Sequence, residues 1–223
     1  KKLEKSRQRL LGEIEAEARG CRMWTGRSRF SESVMAAMAK VPRHEFTPPG
    51  EAEYAYVNRP RGIGHGQTIS QPFMVAVMTD LLDLDKDDRV LEIGCGCGYQ
   101  AAVLAEVAGR VYSVETIEAL AISARRRLER LGYENVHVRR GDGYLGWPEE
   151  APFDAVMVTA APESIPQTLV DQLKTGGRMV IPIGREHKTQ TLYVGVKKKD
   201  GSLATSGSLP VAFVPMVPGK RGR

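Results

Sequence analysis

The chain has 223 residues, 42% of them hydrophobic and 26% charged, which is long enough and apolar enough for one globular domain with a sizeable core. No apolar run approaches the length of a membrane-spanning helix, and no apolar stretch near the start indicates a secretion signal, so we expect no membrane partner. The three cysteines, Cys21, Cys95 and Cys97, are too few for a disulfide framework and indicate a reducing, cytoplasmic location.

The formal net charge is +5 and the sequence pI is about 9.2, values that leave a nucleic-acid partner open. The basic residues in excess are spread over the start of the chain, two short runs at residues 125–127 and 197–199, and the tail at residues 220–223. Such scattered charge is more typical of solvated helix faces and chain ends than of one binding surface. We therefore expect no nucleic-acid partner, and we expect a monomer.

The first part of the chain indicates two helices ahead of a main domain. Residues 1–19 carry apolar side chains at helical spacing, namely Leu3, Leu10, Leu11, Ile14 and Ala18. Residues 31–40 carry a second such stripe, and Pro42 stops that helix because proline lacks the backbone N–H. We divide the chain into an N-terminal helical extension, residues 1–40, and a main domain, residues 41–223. The pattern leaves open whether the extension packs on the domain.

Residues 54–71, which contain the polar and glycine-rich run GHGQTIS, are predicted to be extended or looped. Pro72 then begins a helix that reaches about Leu82, since proline is favoured in the first turn of a helix. From residue 89 onward, short apolar strands alternate with helices. The predicted strands are RVLEIG, RVYSVE, NVHVRR and FDAVMVTA, and the predicted helices are residues 99–107, 117–131 and 163–173.

This alternation indicates the α/β class, with a doubly wound and mostly parallel sheet that helices cover on both faces. The last three apolar stretches, GRMVIPIG, TLYVGVKK and VAFVPM, follow one another without long helices between them. Parallel neighbours need a long crossover and antiparallel neighbours do not. We therefore expect an antiparallel edge on the C-terminal side of the sheet.

A glycine loop, Gly94, Gly96 and Gly98 in VLEIGCGCGYQ, follows the first strand of the alternating region and precedes a helix. Glycines there let the backbone turn sharply and let a ligand approach without a Cβ in the way. Tyr99 stands where the dinucleotide fingerprint G-x-G-x-x-G has its third glycine, which disfavours a bound pyrophosphate. Cys95 and Cys97 are more closely spaced than the thiolates of zinc sites, so we predict no metal.

Carboxylates follow the strands beside this loop. Glu115 ends the second strand, and Asp142 with Gly143 follows the third, so both carboxylates are expected at the carboxyl edge of the sheet. A carboxylate there can accept hydrogen bonds from both hydroxyls of a ribose. A ligand with a ribose, an adenine and no phosphates fits these groups, and S-adenosylmethionine is such a ligand. Glu92, inside the first strand, either reaches the ligand's ammonium group or a glycine-loop amide, or has a purely structural role.

Six segments together resemble the protein-L-isoaspartate O-methyltransferases over residues 41–215. They are VPRHEF, IGHGQTISQPFMVAVMTDLL, RVLEIGCGCGYQAAVLA, GDGYLGW, APFDAVMVTAAPESIP and GGRMVIPIG. The most specific is GQTISQP, placed ahead of the glycine loop. The resemblance implies a Rossmann-like class I methyltransferase that moves a methyl group from S-adenosylmethionine to the α-carboxylate of L-isoaspartyl residues in damaged proteins. The ester then collapses to a succinimide, whose hydrolysis partly restores aspartate.

The chain departs from the family pattern in two places. Cysteines at 95 and 97 replace the hydroxyl residues of the usual GTGSGY loop, and Val57 and Arg61 stand where an acidic and an apolar residue are common. The second departure falls in the predicted substrate loop, residues 54–71, and leaves the cofactor residues untouched.

The resemblance implies that Ser70 is catalytic at the methyl-acceptor end. The neighbouring substrate-binding residues would be Gln67, Thr68, Ile69, Thr159 and Ala160. Methyl transfer to an ionised carboxylate needs alignment more than acid or base chemistry, so His65 is predicted to be an ordinary loop histidine. From the residues alone, Ser70 could equally cap the helix that begins at Pro72.

Two other functions stay open on the sequence. The basic charge balance is compatible with an S-adenosylmethionine-dependent RNA methyltransferase. A non-catalytic, cofactor-binding scaffold whose N-terminal helix recruits a partner would keep the glycine loop and carboxylates and dispense with turnover.

Overall fold

The computed structural model describes residues 2–219. Two parts of the predicted segments lie outside the described residues: Lys1, at the start of the helical extension, and the basic tail at residues 220–223, at the end of the main domain. The helices are α1 Lys2–Gly20, α2 Arg22–Thr25, α3 Glu32–Lys40, α4 Pro72–Leu81, α5 Tyr99–Val107, α6 Glu118–Arg130 and α7 Gln167–Asp171. The strands are β1 Arg61–Gly64, β2 Gln67–Ile69, β3 Arg89–Ile93, β4 Arg110–Glu115, β5 Val136–Arg140, β6 Phe153–Val158, β7 Leu173–Ile183, β8 Gln190–Lys197 and β9 Leu203–Val211.

Seven strands form the central sheet in the order β5-β4-β3-β6-β7-β8-β9, and β1 pairs with β2 in a separate hairpin. The pairs from β5 through β7 are parallel, whereas β7–β8 and β8–β9 are antiparallel. The predicted doubly wound, mostly parallel sheet with an antiparallel C-terminal edge is confirmed. The chain winds outward from β3 to β5 and then returns to β6 beside β3. Open α/β sheets bind ligands at such a reversal of strand order.

Side chains cover the sheet on both faces. Successive residues of a strand point to opposite sides, so neighbouring residues belong to different core clusters. Val90 belongs to the core cluster that includes side chains of α1, α3, α4, α5 and α6. Leu91 and Ile93 belong to the cluster on the other face, which includes Leu169 and Val170 of α7. Continuous apolar strands such as β3 and β6 follow from this two-sided burial. Among residues 2–219, no helix combines the length and the apolar character needed to cross a membrane.

Helix α1 packs against α3 and α4 and is part of the same core. The predicted apolar stripe forms the contact, with Leu10, Ile14 and Ala18 buried. The end of α1 also meets the loop before the hairpin, where Asn58 Nδ2 donates to Glu17 Oε2 at 2.8 Å. The packing question that the sequence left open therefore has an answer: the extension lies on the domain.

One predicted helix is too long, and one strand was not predicted. The helix expected over residues 163–173 is only α7, Gln167–Asp171, because Pro166 disfavours helical geometry at the preceding residue, and the chain already enters β7 at Leu173. Residues 61–69 form a hairpin, in agreement with the extended or looped segment predicted there. The last strand is β9, which was not predicted; the extended stretch VAFVPM begins at its last residue, Val211, and residues 212–216 continue to the isolated bridge between Ala161 and Pro215. An exposed edge strand has polar side chains, and so β9 lacks the apolar signal that predicted the others.

Truncating Ile14 tests the docking of α1. Because its side chain is fully buried, Ile14→Ala should lower the free energy of unfolding by roughly 2–5 kcal/mol in urea denaturation. The matched control is Ile122→Ala on α6, whose side chain is 44% exposed. Equal stability of the two variants would show that α1 does not pack on the domain.

Candidate active site

A cavity of about 1140 Å³ opens at the carboxyl ends of β3, β4 and β6, where the strand order reverses. The glycine loop and the strand ends form its floor, and the β1–β2 hairpin forms one wall. The opposite wall consists of residues 186–190 and residues 210–217. A space of this size can hold a nucleoside-sized ligand together with part of a peptide.

The glycine loop crosses the floor of the cavity and contacts Thr159, the residue that follows β6. Gly94 has φ +93°, and a Cβ there would collide with the Thr159 hydroxyl oxygen. That hydroxyl donates to the carbonyls of Ile93 and Gly94, at 2.9 and 2.7 Å. Gly94 and Gly96 both line the cavity. The position of Thr159 therefore depends on glycine at 94, and the two residues close the floor together.

Gly98 is the one predicted loop glycine that does not line the cavity. It precedes α5 with φ +91°, and a Cβ there would approach Leu128 at 3.2 Å and Ala124 at 3.4 Å. The absence of a side chain lets the chain entering α5 pass close to Leu128 and Ala124 of α6. A contact between Gly98 and the cofactor stays a prediction.

The carboxylate of Glu115 lines the cavity beside the loop. Its Oε2 accepts from the Gly96 N–H at 2.8 Å, and its Oε1 accepts from the Ile117 N–H at 2.9 Å. Each carboxylate oxygen has a further lone pair, so the group can still accept hydrogen bonds from two ligand hydroxyls. The two backbone amides fix its orientation before any ligand arrives.

Asp142 lies behind the cavity wall, whereas Gly143 is part of the wall. Asp142 Oδ1 accepts from the Tyr144 N–H at 2.9 Å, and a Cβ on Gly219 would come within 2.9 Å of the Asp142 Cβ. The C-terminal segment therefore covers Asp142, and its contact with the cofactor stays a prediction.

Glu92 is fully buried beneath the glycine loop and does not line the cavity. Burial raises the pKa of Glu92 to about 8; the hydrogen bond that the Ser113 hydroxyl donates to Oε2 opposes this shift, and the charge of Glu115 adds to it. Its Oε1 has no hydrogen-bond partner among the described residues. This buried position agrees with a purely structural role for Glu92, and direct contact with the cofactor stays a prediction.

Gln67, Thr68, Ile69 and Ser70, from the hairpin and the residue after it, line the cavity, as do Thr159 and Ala160. The Ser70 hydroxyl makes no hydrogen bond to another described residue. The alternative that Ser70 caps α4 is wrong, because Gln71 is the residue before the helix and the Phe73 N–H donates instead to Asn58 Oδ1 at 3.0 Å. The hydroxyl of Ser70 is therefore free to bind a ligand.

The outer side of the hairpin is held by an ion pair. Arg61 Nη2 lies 2.7 Å from Glu51 Oε2, and its guanidinium stacks on the Tyr54 ring at 5.1 Å. The family departure at Arg61 therefore has a partner within the chain. His65 is exposed in the turn between β1 and β2 and does not line the cavity, as predicted for a loop histidine.

The wall formed by residues 186–190 and 210–217 was not predicted. Gln190 is buried, and its side-chain amide donates to the Phe213 carbonyl at 3.0 Å and accepts from the Phe213 N–H at 2.6 Å. Neither segment shows periodicity or a motif, and they meet only because β8 and β9 are neighbours. No signal in the sequence could have found this wall.

Comparisons with known proteins agree on one family. The family model described as protein-L-isoaspartate(D-aspartate) O-methyltransferase matches residues 23–221. A protein-L-isoaspartate O-methyltransferase 2 from Polaromonas sp. (strain JS666 / ATCC BAA-500) is 55% identical over 207 residues, which cover 93% of this chain and 98% of the relative. A namesake from Syntrophobacter fumaroxidans is 55% identical over 96% of this chain and 87% of its own length.

Two solved structures share the fold over almost the whole chain. A protein-L-isoaspartate O-methyltransferase superimposes with a TM-score of 0.81 at 34% identity, covering 94% of this chain and 65% of that longer one. A Plasmodium falciparum protein of the same description, solved in complex with S-adenosyl-L-homocysteine, superimposes with a TM-score of 0.75 at 26% identity, covering 93% and 96%.

Replacing Glu92 should change how stability depends on pH. The carboxyl has a usual pKa of 4.5 and a pKa of about 8 in the folded chain, so the folded state holds this proton more tightly across that interval. As the pH rises from about 4.5 to about 8, the unmodified protein should lose stability relative to Glu92→Gln. Urea unfolding of both proteins across this range measures the difference.

The control for this comparison is Glu134→Gln, the same substitution at an exposed residue, which should follow the unmodified protein at every pH. Parallel stability curves for Glu92→Gln and the unmodified protein would contradict the assignment of a raised pKa to Glu92.

Proposed function

The chain is a member of the protein-L-isoaspartate(D-aspartate) O-methyltransferase family, and from that membership we propose that it methylates the α-carboxylate of L-isoaspartyl residues in damaged proteins, with S-adenosylmethionine as the methyl donor. The observation that carries the proposal is one cavity whose lining includes Glu115, the glycine loop and Ser70, whose hydroxyl makes no hydrogen bond to another described residue. The relatives support this activity over the RNA methyltransferase and scaffold alternatives.

The cofactor would lie across the glycine loop. Glu115 fits the ribose, because its carboxylate is oriented by two backbone amides and still has free lone pairs. Gly94 and Gly96 leave bare backbone against which the ligand can rest. When bound, S-adenosylmethionine supplies an electrophilic methyl group on a sulfonium. Glu92 would support the loop from below, with Asp142, Gly98 and Gly143 shaping its surroundings.

Ser70 would hold the methyl acceptor. The acceptor carboxylate is ionised near neutral pH, so its oxygen can attack the methyl carbon without losing a proton to a base. The requirement is an in-line approach in a site from which water is excluded. The Ser70 hydroxyl can donate to one carboxylate oxygen and leave the other free to react. Gln67, Thr68 and Ile69 of the hairpin would line the path of the peptide.

Thr159 and Ala160 would form the opposite side of the acceptor site. Thr159 has both hydroxyl contacts directed at the floor, which leaves a small, uncharged surface toward the peptide. Small residues at this position make room for an isoaspartyl backbone, which is one methylene longer than an ordinary one.

We also propose a cytoplasmic, monomeric enzyme in which residues 1–40 are a helical layer on the methyltransferase domain. The three cysteines are free thiols, in keeping with a reducing location. Leu10, Ile14 and Ala18 belong to the same core cluster as α4 and α5, which supports one folding unit with a substrate loop at residues 54–71.

The experiment that tests the function measures methyl incorporation from labelled S-adenosylmethionine into two peptides that differ only in isoaspartate or aspartate at one position. We expect label in the isoaspartyl peptide alone. Cofactor binding is measured in parallel. Bound cofactor without label in either peptide would contradict the proposal.

The role of Ser70 predicts a separation of rate and cofactor affinity. Ser70→Ala should lower kcat on the isoaspartyl peptide by roughly ten- to a hundredfold, because one positioned donor is lost in a water-poor site. The dissociation constant of S-adenosylmethionine should stay unchanged, since no hydrogen bond among the described residues joins the Ser70 hydroxyl to Glu115 or the glycine loop. Steady-state kinetics and equilibrium binding measure the two quantities.

The matched control is Ser33→Ala, the same truncation on the exposed face of α3, away from the cavity. An unchanged kcat in Ser70→Ala, or a loss of cofactor affinity equal to the loss of rate, would remove Ser70 from the acceptor site.

A further inference from the structure

Arg43 is a fully buried arginine below the hairpin. Its Nε donates to the Ala55 carbonyl at 2.8 Å, and its Nη2 donates to the Ser70 carbonyl at 2.7 Å. Both partners are neutral. Its Nη1 has no hydrogen-bond partner, and no carboxylate among residues 2–219 forms an ion pair with its guanidinium.

A buried charge without a counter-ion is costly, and arginines are rarely buried unpaired. The Tyr99 ring, 4.6 Å from the guanidinium carbon, gives a partial compensation through a cation–π contact. Burial lowers the pKa of Arg43, but guanidinium is so basic that it stays protonated in proteins. Burial also raises the pKa of Tyr99 and of Cys97, so neither neighbour supplies a negative charge near neutral pH.

The positive charge of Arg43 lies directly behind two residues that line the cavity. Ser70, whose carbonyl Arg43 holds, and Tyr99, on whose ring it stacks, both line the cavity, whereas Arg43 does not. The guanidinium therefore lies one layer behind the wall, at the end of the cavity where the unbonded Ser70 hydroxyl is found. A ligand carboxylate bound at Ser70 would be the nearest uncompensated negative charge.

We propose that Arg43 is a specificity-determining residue, whose recessed positive charge favours an anionic methyl acceptor at Ser70 without touching it. The inference rests on the proposed function, because it takes the Ser70 end as the acceptor end. A cation in direct contact would hold the attacking oxygen and reduce its nucleophilicity. A charge behind the backbone stabilises the bound anion through the weakly screening interior and leaves the oxygen free.

The recessed charge acts on binding more than on the chemical step. The acceptor oxygen loses negative charge as its bond to the methyl carbon forms, so attraction to Arg43 is strongest before the reaction. The two carbonyl hydrogen bonds have a separate effect, because they fix the backbone that presents the Ser70 hydroxyl. Charge and positioning can therefore be tested apart.

The test uses two isoaspartyl peptides that differ only in the α-carboxyl group, one as the carboxylate and one as the neutral carboxamide. Their dissociation constants are measured with S-adenosyl-L-homocysteine present, so that no turnover occurs. In Arg43→Met we expect the binding of the carboxylate peptide to weaken roughly ten- to thirtyfold more than that of the carboxamide peptide, whose own loss of affinity measures the lost positioning of Ser70. The cycle isolates the interaction between the two charges.

Equal weakening of both peptides, or of neither, would overturn the proposal, the first result showing a structural role. The matched control is Arg7→Met, since Arg7 also donates from a partly buried position to a backbone carbonyl, that of Ala39 at 2.9 Å, away from Ser70. This control should leave the preference for the carboxylate peptide unchanged.

A second variant keeps the test decisive if Arg43→Met does not fold, as judged by circular dichroism. Arg43→Lys keeps the charge but cannot donate to both carbonyls. We expect it to keep the preference for the carboxylate peptide and to lose kcat; a folded Arg43→Lys protein without that preference would overturn the proposal. Labelling of isoaspartyl peptide by the unmodified protein separates failure of this inference from failure of the proposed function.

Discussion

The contact between Gly94 and Thr159 is the constraint on which the cavity depends. Strands β3 and β6 are paired in the sheet, and just beyond them the missing Cβ of Gly94 leaves room for the Thr159 hydroxyl, which contacts the carbonyls of Ile93 and Gly94. Gly96 extends the connection by donating to Glu115 at the end of β4. Three strand ends are thereby joined into one floor, and a floor that is rigid before the ligand binds can orient it precisely.

The charges around this floor are divided by depth. Glu115 lines the cavity, where its carboxylate accepts hydrogen bonds from two backbone amides. Glu92 lies just beneath, where burial favours the neutral acid and avoids a second negative charge beside the first. Arg43 lies behind Ser70 and Tyr99, which line the cavity, and does not line the cavity itself. Of these three groups only Glu115 lines the cavity, which suits the proposed reaction, since methyl transfer to a carboxylate needs alignment and no proton transfer.

The sequence predicted those parts of the fold in which local pattern and tertiary environment agree. Helix α5, Tyr99–Val107, and strand β4, Arg110–Glu115, have the predicted bounds, because a glycine loop and an apolar strand in a fully covered sheet are both visible locally. Strand β9 was missed because its exposed edge position removes the apolar signal. The helix predicted over residues 163–173 is longer than α7, because Pro166 keeps the residue before it out of helical geometry.

Within the site, residues that belong to a motif could be predicted from the sequence. Residues whose side chains hydrogen-bond to backbone groups far away in the sequence could not. Gly94, Glu115, Ser70 and Thr159 were named from the glycine loop, the strand ends and the family segment, and all four line the cavity. Asn58, which caps α4 from 15 positions away, and Gln190, which binds Phe213 23 positions away, were missed. A side chain whose partner is a remote N–H or carbonyl leaves no residue-type pattern, since every residue offers the same backbone groups.

The two walls of the cavity are fastened by interactions of different kinds. The Arg61–Glu51 ion pair supports the hairpin, and both side chains are partly open to solvent, so dissolved ions weaken their attraction. The Gln190 amide holds the C-terminal wall through uncharged hydrogen bonds shielded from water, on which ionic strength has little effect. Raising the ionic strength should therefore weaken the attachment of the hairpin and leave that of the C-terminal wall largely unchanged.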